Sequence, residues 1–531
     1  MKSSTFPHLV RAVLSIALVL CCTLTPSEAK AGGIYKPAAP QVRMRWQDFI
    51  SGPGGPARLA SLKKAVLKMR SLDNAAPTSV DFRRSWKYWA NIHGYYGPQS
   101  MDGTVAQQVA YLNSQGMGSY ASYYSNITDQ TPPDQIAKAV WATCQHSAGP
   151  GPQQANFFGW HRMYLYYFER VLRWAAQDNT LRLPYWDYTN ASQEAIPAEF
   201  RNTSSTMYDS KRDPGMNAAT STLSSTTTNI NSALTNANYL NFEYGIETGL
   251  HGYVHCTVGP TCPVAHMGDV PVAGNDPVFY SHHANIDRIW ACWQHLHTTP
   301  TGAPWETQTF SFPDENGTLQ TRPVSDFLDS TKLGYVYDNV ASCSRGLIRK
   351  PIFREELALQ ELTTEQRFPT IVGSTKPLPI NGPQVSVDIP VPATKLRSLV
   401  KPAGASQSSV LILRDVKADG PPGTLLNVYV SKQGQPATRQ YVGTINWFGA
   451  FHHHDGPSVK TLEYDVSDQL RALNVSTTTP GVTVSFEATD GRVPAHAATT
   501  TRLQAIRPEV LSAFRPQANV QIGAIELRQS K

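Results

Sequence analysis

Six histidines stand in two groups of three within the first 283 residues of this 531-residue chain, and the segments around them are rich in aromatic residues. They are His93, His146, His161, His251, His255 and His283. Neutral imidazole is the commonest side-chain ligand for zinc, copper, iron and nickel, and three nitrogens on one ion leave a coordination position open. Helices that present histidines inward are typical of a four-helix bundle that holds metal ions. The sequence therefore predicts a helical domain with two neighbouring metal sites.

The spacing of the later histidines predicts how they are held. His251 and His255 are four residues apart, so one helical face would direct both to the same ion. His283 lies four residues before Asp287, whose carboxylate would then accept a hydrogen bond from the imidazole, as partners of metal-bound histidines usually do. The other histidines are interpreted as surface or hydrogen-bonded groups; they are His266, His295, His297, His496 and residues 452–454.

Three separated segments together resemble one known family. In chain order they are His161–Glu169, the pair His251 and His255, and the run Asp276–Arg288. This order is typical of tyrosinases and catechol oxidases, the coupled dicopper proteins. Several motifs in the right order are far more specific than a single pair of histidines four residues apart. The resemblance spans roughly residues 40 to 345, and it implies two copper ions in a mainly α-helical catalytic domain.

The resemblance also assigns the ligands. It implies one copper ion bound by His93, His146 and His161, and a second bound by His251, His255 and His283. It implies that His282, the first of the adjacent pair, lies behind the ligands without binding copper.

Four further residues are candidates for tuning this site. Glu247 resembles the family glutamate that orders a water near the second copper, although an ordinary carboxylate in a first helical turn is the alternative. Gly252 stands where hydroxylating members often have an asparagine, which argues against an assisted deprotonation of a phenol. Val270 falls where some catechol oxidases have a bulky gate, so its small side chain favours an open entrance. Phe279 is predicted to stack on a ligand imidazole.

Cys144 precedes His146 by two residues, and this arrangement resembles the thioether-linked histidine of fungal-type members. Such a link would fix one imidazole in a single orientation. The alternative is a small buried residue, which is a frequent role for a free cysteine. Both interpretations stay open at this point.

The chemistry that the resemblance implies is oxidation by molecular oxygen of a small phenolic or catecholic substrate to an o-quinone. The small Val270 favours a tyrosinase, which also hydroxylates phenols, whereas Gly252 favours a strict catechol oxidase. An oxygen carrier of the hemocyanin kind would use the same six ligands but exclude substrate. A dizinc hydrolase is disfavoured because the motif segments supply no bridging carboxylate.

Residues 1–31 have the pattern of a signal peptide, with Lys2 and Arg11 ahead of an apolar stretch that is too short to span a membrane. A secreted or periplasmic protein without a membrane anchor is therefore expected after its removal. Five cysteines then remain, and Cys256 with Cys262 is the most plausible short disulfide loop. The net charge of +6 is scattered without a basic run, so a nucleic-acid partner is not indicated, and the oligomeric state is left open.

The chain divides into a catalytic part and a β-rich part. We expect a catalytic domain over residues 32–345, a linker over 346–384 and a smaller all-β, sandwich-like domain over 385–531. The segment Leu333–Asp338 resembles the Tyr-x-Tyr signal that closes the catalytic domain. Because the C-terminal domain often covers the copper site in this family, an aromatic residue near its surface would act as a plug. The candidates are Trp447, Phe448 and Phe451.

Overall fold

The computed structural model describes residues 40–98, 103–146, 155–302, 304–343, 364–392, 395, 408–451, 459–474, 481–495 and 506–530. The predicted signal peptide and residues 346–363 of the predicted linker lie outside these residues. Residues 36–531 form one compact unit. In the described part, no helix is both long enough and apolar enough to span a membrane.

Helices build the first part of the chain. Five of them are labelled α1 (Gly55–Ser71), α2 (Trp86–His93), α3 (Phe157–Ala176), α4 (Gly252–Val258) and α5 (Pro277–Leu296). Other helices lie at Trp46–Ser51, Val80–Arg83, Val105–Ser114, Gly118–Tyr124, Gln135–Val140, Ala198–Arg201, Pro214–Ala218, Asn231–Thr235, Tyr239–Gly245, Ala265–Gly268 and Val340–Cys343. The turns Val270–Asn275, Pro304–Thr307 and Val324–Phe327 are 3-10 helices, and Ile246–His251 is a π-helix.

Helices α3 and α5 form the centre of this part. Nearly every residue of both helices is buried, and eleven of the buried side chains are tryptophan, tyrosine or phenylalanine. Helix α5 begins at Asp276, whose side chain accepts a hydrogen bond from the backbone of Val278, and proline follows at the first helical position. This start favours a helix, because the cap accepts a backbone N–H that has no partner within the helix and proline has no N–H that needs a partner.

Short strands join the ends of the helical part. Strand β1 (Gln41–Arg43) runs parallel to β5 (Tyr335–Tyr337), so the predicted Tyr-x-Tyr segment pairs with the first described residues. Strand β2 (Ser221–Thr222) lies on a loop, and β3 (Thr309–Pro313) forms a hairpin with β4 (Leu319–Pro323).

The C-terminal part contains eleven strands within the described residues. They are β6 (Thr370–Ser374), β7 (Leu378–Ile380), β8 (Gln384–Pro390), β9 (Ser409–Val416), β10 (Leu425–Lys432), β11 (Gln435–Ile445), β12 (Lys460–Asp465), β13 (Gly481–Thr489), β14 (Val493–Pro494), β15 (Val520–Ile522) and β16 (Ala524–Gln529). Eight of them form two antiparallel sheets of four, with the orders β11-β10-β13-β8 and β12-β9-β16-β6, and β15 pairs with β7. Short helices lie at Thr364–Arg367, Ser467–Ala472, Pro508–Ala513 and, as a 3-10 turn, Pro516–Ala518. The predicted fold class, a helical catalytic domain followed by a smaller β-sandwich-like domain, is confirmed.

The predicted linker is wrong in its second half. Residues 370–380, expected to lie between the domains, form β6 and β7 and pair with β16 and β15 at the far end of the chain. Their partners lie about 150 residues away in the sequence, and prolines and a glycine interrupt their alternation of polar and apolar residues. Such strands carry little local signal, since pairing and burial rather than propensity stabilise them.

Two disulfides lie in the described part. Cys256 pairs with Cys262, as predicted, and Cys292 pairs with Cys343. Cys144 is buried and belongs to neither disulfide.

Candidate metal centre

Four helical segments direct the histidines to one place. His93 is the last residue of α2, His161 lies in the first two turns of α3, and His251 ends the π-helical turn that leads into α4. His255 lies one turn further along α4. The adjacent pair His282 and His283 lies in the second turn of α5, and all six of these imidazoles are buried.

Most of these rings have one nitrogen fixed by the surrounding protein. The Nδ1 atoms of four histidines lie within hydrogen-bonding distance of backbone carbonyls. These pairs are His93 with Val270 at 3.1 Å, His161 with Phe157 at 2.7 Å, His251 with Glu247 at 3.3 Å and His255 with Met267 at 2.7 Å. A ring that donates from Nδ1 carries its lone pair on Nε2, which is the usual arrangement of a metal ligand.

The free nitrogens fall into two overlapping groups. Ligand atoms of His251, His255, His282 and His283 all lie within 4.8 Å of one another, and the same holds for His93, His161 and His283. The Nε2 atoms of five of them are buried without a hydrogen-bond partner; they belong to His93, His251, His255, His282 and His283. Buried polar atoms normally have partners. Converging orphan nitrogens therefore fit metal ions.

These donors fit two copper ions in particular. Burial lowers the pKa of His161 to about 3 and holds the pKa values of His93, His251 and His255 well below the usual value of histidine. The rings are consequently neutral, which metal binding requires. In the described part the two groups contain imidazoles alone, without a carboxylate, and such a donor set suits copper.

His146 differs from its predicted position. The structure does not bring it into either group, and its Nδ1 instead lies 3.0 Å from the Oε1 atom of Glu247. Glu247 precedes His251 by one helical turn, and its carboxylate therefore holds the imidazole of His146 at the edge of the site. The Sγ atom of Cys144 lies 3.5 Å from Nε2 of His161. Cys144 thus lies beside the ring of His161, and the thioether to His146 stays a prediction.

His282 also differs from the prediction. Its Nδ1 pairs with the hydroxyl of Tyr188 at 2.8 Å and its Nε2 has no partner, so it has the ring arrangement of a ligand. His283 contacts both groups and stacks on His161 with ring centres 4.4 Å apart. The structure therefore places four imidazoles, rather than three, around the second site.

The predicted hydrogen bond from His283 to Asp287 is wrong. Neither ring nitrogen of His283 has a partner, whereas Asp287 accepts hydrogen bonds from Arg43, Arg162 and two tyrosines. Burial raises the pKa of the Asp287 carboxyl, but the two guanidinium groups outweigh it and lower that pKa. Two buried cations attract a carboxylate more strongly than a neutral imidazole does.

Besides Glu247, two of the predicted tuning residues contact the ligands. Phe279 packs against His93 with ring centres 4.7 Å apart and against His283 at 4.3 Å. Val270 is buried, and its backbone carbonyl is the partner of His93. Both contacts fix ligand rings in place.

The C-terminal domain reaches into the same site. The ring of Phe448 stacks on His255 with centres 3.9 Å apart and an interplanar angle of 13°, and it meets His251 edge-on at 5.4 Å. Trp447 points the other way and donates from Nε1 to the carbonyl of Thr424. Phe451 lies near Tyr111, with ring centres 6.5 Å apart. Of the three plug candidates, Phe448 is the one that contacts the ligands.

Sequence reasoning missed several residues that shape this site. Asn446 lies beside Gly252 and donates to carbonyls of the π-helical turn, and Tyr188 holds His282. Both come from segments that are remote in sequence from the histidines and carry no metal-binding motif. The one available clue was the position of Asn446 directly before the plug candidates Trp447 and Phe448.

Comparisons with known proteins agree with this arrangement. Residues 83–240 and 197–296 match the common central domain of tyrosinase, and residues 301–345 match the polyphenol oxidase middle domain. A tyrosinase of Hahella sp. (strain CCB-MM4) is 27% identical over 458 residues, which cover 79% of this chain and 88% of that protein. Aureusidin synthase of Antirrhinum majus is 33% identical over 224 residues, 35% of this chain and 40% of that protein.

Solved structures show the same fold. Latent apple tyrosinase matches with a TM-score of 0.56 at 19% identity, over 94% of this chain and 99% of that chain. Latent aurone synthase, a polyphenol oxidase, matches with a TM-score of 0.57 at 21% identity, over 94% and 92%. These matches extend beyond the helical core into the β-rich C-terminal domain.

Proposed function

We propose that this chain, whose residues 83–296 match the common central domain of tyrosinase and whose residues 301–345 match the polyphenol oxidase middle domain, is a copper-dependent oxidoreductase. It converts phenols and catechols to o-quinones with molecular oxygen. The observation that carries the proposal is the convergence of buried, neutral imidazoles in two overlapping groups. In the overall reaction two catechols lose two electrons and two protons each, and one oxygen molecule is reduced to two waters.

The ligand assignment combines the two groups with the resemblance. His93 and His161 would hold the first copper ion, with His146, which lies beside Glu247, as the third ligand that the resemblance implies. His251, His255 and His283 would hold the second ion. Two copper ions held in this way would supply a site for oxygen and an exchange of two electrons with the substrate. The chain supplies fixed ring orientations through the carbonyls behind each Nδ1 and a buried site that excludes bulk water.

His283 is chosen over His282 because it alone belongs to both groups. Copper content tests the choice. His283→Ala is expected to lower the copper bound per chain from two ions towards one and to abolish activity, and His255→Ala to do the same. His282→Ala should keep both ions. His295→Ala, which changes an exposed histidine, is the matched control. Two ions in His283→Ala with one in His282→Ala would reverse the assignment.

Within this class we propose a tyrosinase rather than a strict catechol oxidase. Val270 leaves more room at the entrance than a bulky gate would, which supports entry of a phenol ring. The carboxylate of Glu247 is hydrogen-bonded to His146, and we assign to it the acceptance of the phenol proton. Gly252 offers no side chain to assist it, which is the observation that favours the alternative.

Oxygen uptake and quinone absorbance decide between these activities. The copper-loaded protein is given tyrosine in one cuvette and its ortho-hydroxylated analogue in another. Quinone from both substrates is the expected result. Quinone from the diphenol alone would make the protein a catechol oxidase, and reversible oxygen binding without quinone would make it an oxygen carrier.

We also propose that the intact chain is latent, with Phe448 as the plug. The stacking of its ring on His255 occupies the face on which a substrate ring would rest. The solved structures that match along the whole chain are described as latent forms, which supports this proposal. Phe448→Ala should raise the activity of the uncut enzyme at least about tenfold, since a fully buried aromatic contact is lost. Phe451→Ala, at the neighbouring ring that does not touch a ligand, should leave the activity at the wild-type level.

A further inference from the structure

The first residue of α4, Gly252, has an ordinary helical backbone. Its φ is −63° and its ψ −33°, so any residue would adopt this conformation without strain. Glycine inside a helix is nevertheless less favourable than alanine. A glycine that the backbone does not require needs another explanation.

The space beside Gly252 supplies that explanation. A Cβ atom built on Gly252 would lie 2.7 Å from the Cγ atom of Asn446 and closer still to its Oδ1. The glycines at 245 and 249 in the same stretch have no atom of another segment within 4 Å of such a Cβ. Gly252 is therefore the member of this stretch that must lack a side chain, because the C-terminal domain fills the position.

Asn446 uses its whole amide in this contact. Its Nδ2 donates to the carbonyls of Thr248 at 2.6 Å and Gly249 at 3.1 Å, both in the π-helical turn that ends at His251. Its Oδ1 accepts the backbone N–H of Phe448 at 3.3 Å. The side chain is 2% exposed. One buried amide thus connects the helix of a ligand to the backbone of the plug.

We propose that Asn446 and Gly252 form a lock that holds the C-terminal domain over the metal site. Asn446 recognises the carbonyls of the π-helical turn, Gly252 leaves the space for its amide, and the bond to Phe448 sets the plug against His255. The lock rests on the proposed latency, and it adds to it the residues that hold the covered state together. Trp447, bonded to Thr424, fixes the same turn to the C-terminal domain.

The lock is tested first in the copper-free, full-length protein by hydrogen exchange. Backbone amides of residues 446–451 should exchange at least about tenfold faster in Asn446→Ala and in Gly252→Ala, because each change breaks a buried hydrogen-bonded contact. Gly245→Ala adds the same methyl group where space is open, so its exchange should equal that of the wild type. Asn446→Asp, which keeps the acceptor and removes the donor, is the second variant if the alanine variant folds poorly.

A double-mutant cycle then asks whether the two residues act at one contact. If they do, Asn446→Ala combined with Gly252→Ala should exchange no faster than Asn446→Ala alone, since the clash has lost its partner. Additive effects would overturn the lock, as would wild-type exchange in both single variants. Equal effects of Gly245→Ala and Gly252→Ala would also overturn it.

The activity of the copper-loaded, uncut enzyme provides the second readout. Basal quinone formation should rise about tenfold or more in Asn446→Ala, Asn446→Asp and Gly252→Ala, and stay at the wild-type level in Gly245→Ala. If even Phe448→Ala forms no quinone, the proposed function fails, yet the exchange measurements still decide whether the lock exists. Faster exchange without a rise in activity, in an enzyme that Phe448→Ala activates, would contradict the role of the lock in latency.

Discussion

The histidines show how far a single residue can be predicted. Five of the six predicted ligands lie where their nitrogens converge, because motif spacing fixes which helical face they occupy. His146 could not be placed in this way. It lies in an irregular segment after the helix Gln135–Val140, and there the position of a side chain depends on its neighbours in space. Its neighbour is Glu247, which is remote in sequence.

Cys144 leads to a prediction about covalent chemistry. Its thiol is buried and 3.5 Å from a ring nitrogen of His161, in the same segment as His146. If a thioether links it to His146, the intact mass of the protein is lower by two hydrogens than the mass of the disulfide-bonded chain with a free thiol. Cys144→Ser is expected to keep both copper ions, to remove this deficit and to raise the mobility of the first site. A wild-type mass with no deficit would exclude the link.

Glu194 gives a pH-dependent prediction for stability. Burial raises the pKa of its carboxyl to about 7, although Ser225 hydrogen-bonds to it. The folded state therefore holds the proton more tightly than the unfolded chain. The stabilisation of the folded state by protonated Glu194 is fully present below about pH 4.5, and it is lost as the pH rises through 7. Glu194→Gln should melt at the same temperature as the wild type at pH 5 and at a higher temperature at pH 8. A constant difference at both pH values would contradict this sign.

At the scale of elements, Asp287 ties three segments together. Its carboxylate on α5 accepts hydrogen bonds from Arg43 of β1, from Arg162 of α3 and from Tyr335 and Tyr337 of β5. All of these side chains are buried. The spacing of four residues from His283 correctly placed Asp287 on the inner face of α5, but spacing could not reveal two arginines from distant segments.

Removing the negative charge of Asp287 should lower the free energy of unfolding. Asp287→Asn leaves the shape of the side chain but deprives two buried guanidinium groups of their counter-charge, which typically costs about 3–5 kcal/mol. The free energy of unfolding in urea measures the loss. Asp326→Asn, at a half-exposed pair with Arg322, is the control and should change stability by less than about 1 kcal/mol. Equal effects of the two substitutions would show that the Asp287 network is not a structural anchor.

Amphipathic length and caps are the local signals for helix boundaries in this sequence. Helix α3 is long and amphipathic, so its extent is predictable without a side-chain cap. The residues from Asp81 to Ile92 have helical spacing but form two helices, because Ser85 interrupts them and caps α2 by accepting the N–H of Tyr88. A serine cap inside a run with helical spacing is a local signal. It was available in the sequence, unlike the distant pairing partners of β6 and β7.

At the scale of the whole molecule, the division into a helical domain and a β-domain follows from composition and periodicity, but the way they are held together does not. Strand β14 of the C-terminal part pairs with β2 of the helical part. The hydroxyl of Tyr253 on α4 donates to the carbonyl of Gly491 at 2.6 Å, and Thr227 bonds to Tyr441 at 2.7 Å. These contacts join residues that are 214 to 273 positions apart, so no local pattern predicts them.

This network predicts the result of cutting the chain between the domains. A protease site introduced within residues 345–362 severs the connection, but all contacts of β14, Gly491, Tyr441 and Asn446 remain. Cleavage alone should therefore leave the two pieces together on size-exclusion chromatography and change basal activity by less than about twofold, since several buried contacts act together. The same cut in the Asn446→Ala variant should release more activity than either change alone. Full activation on cutting the wild-type chain would show that the connection, rather than the docked surface, keeps the site covered.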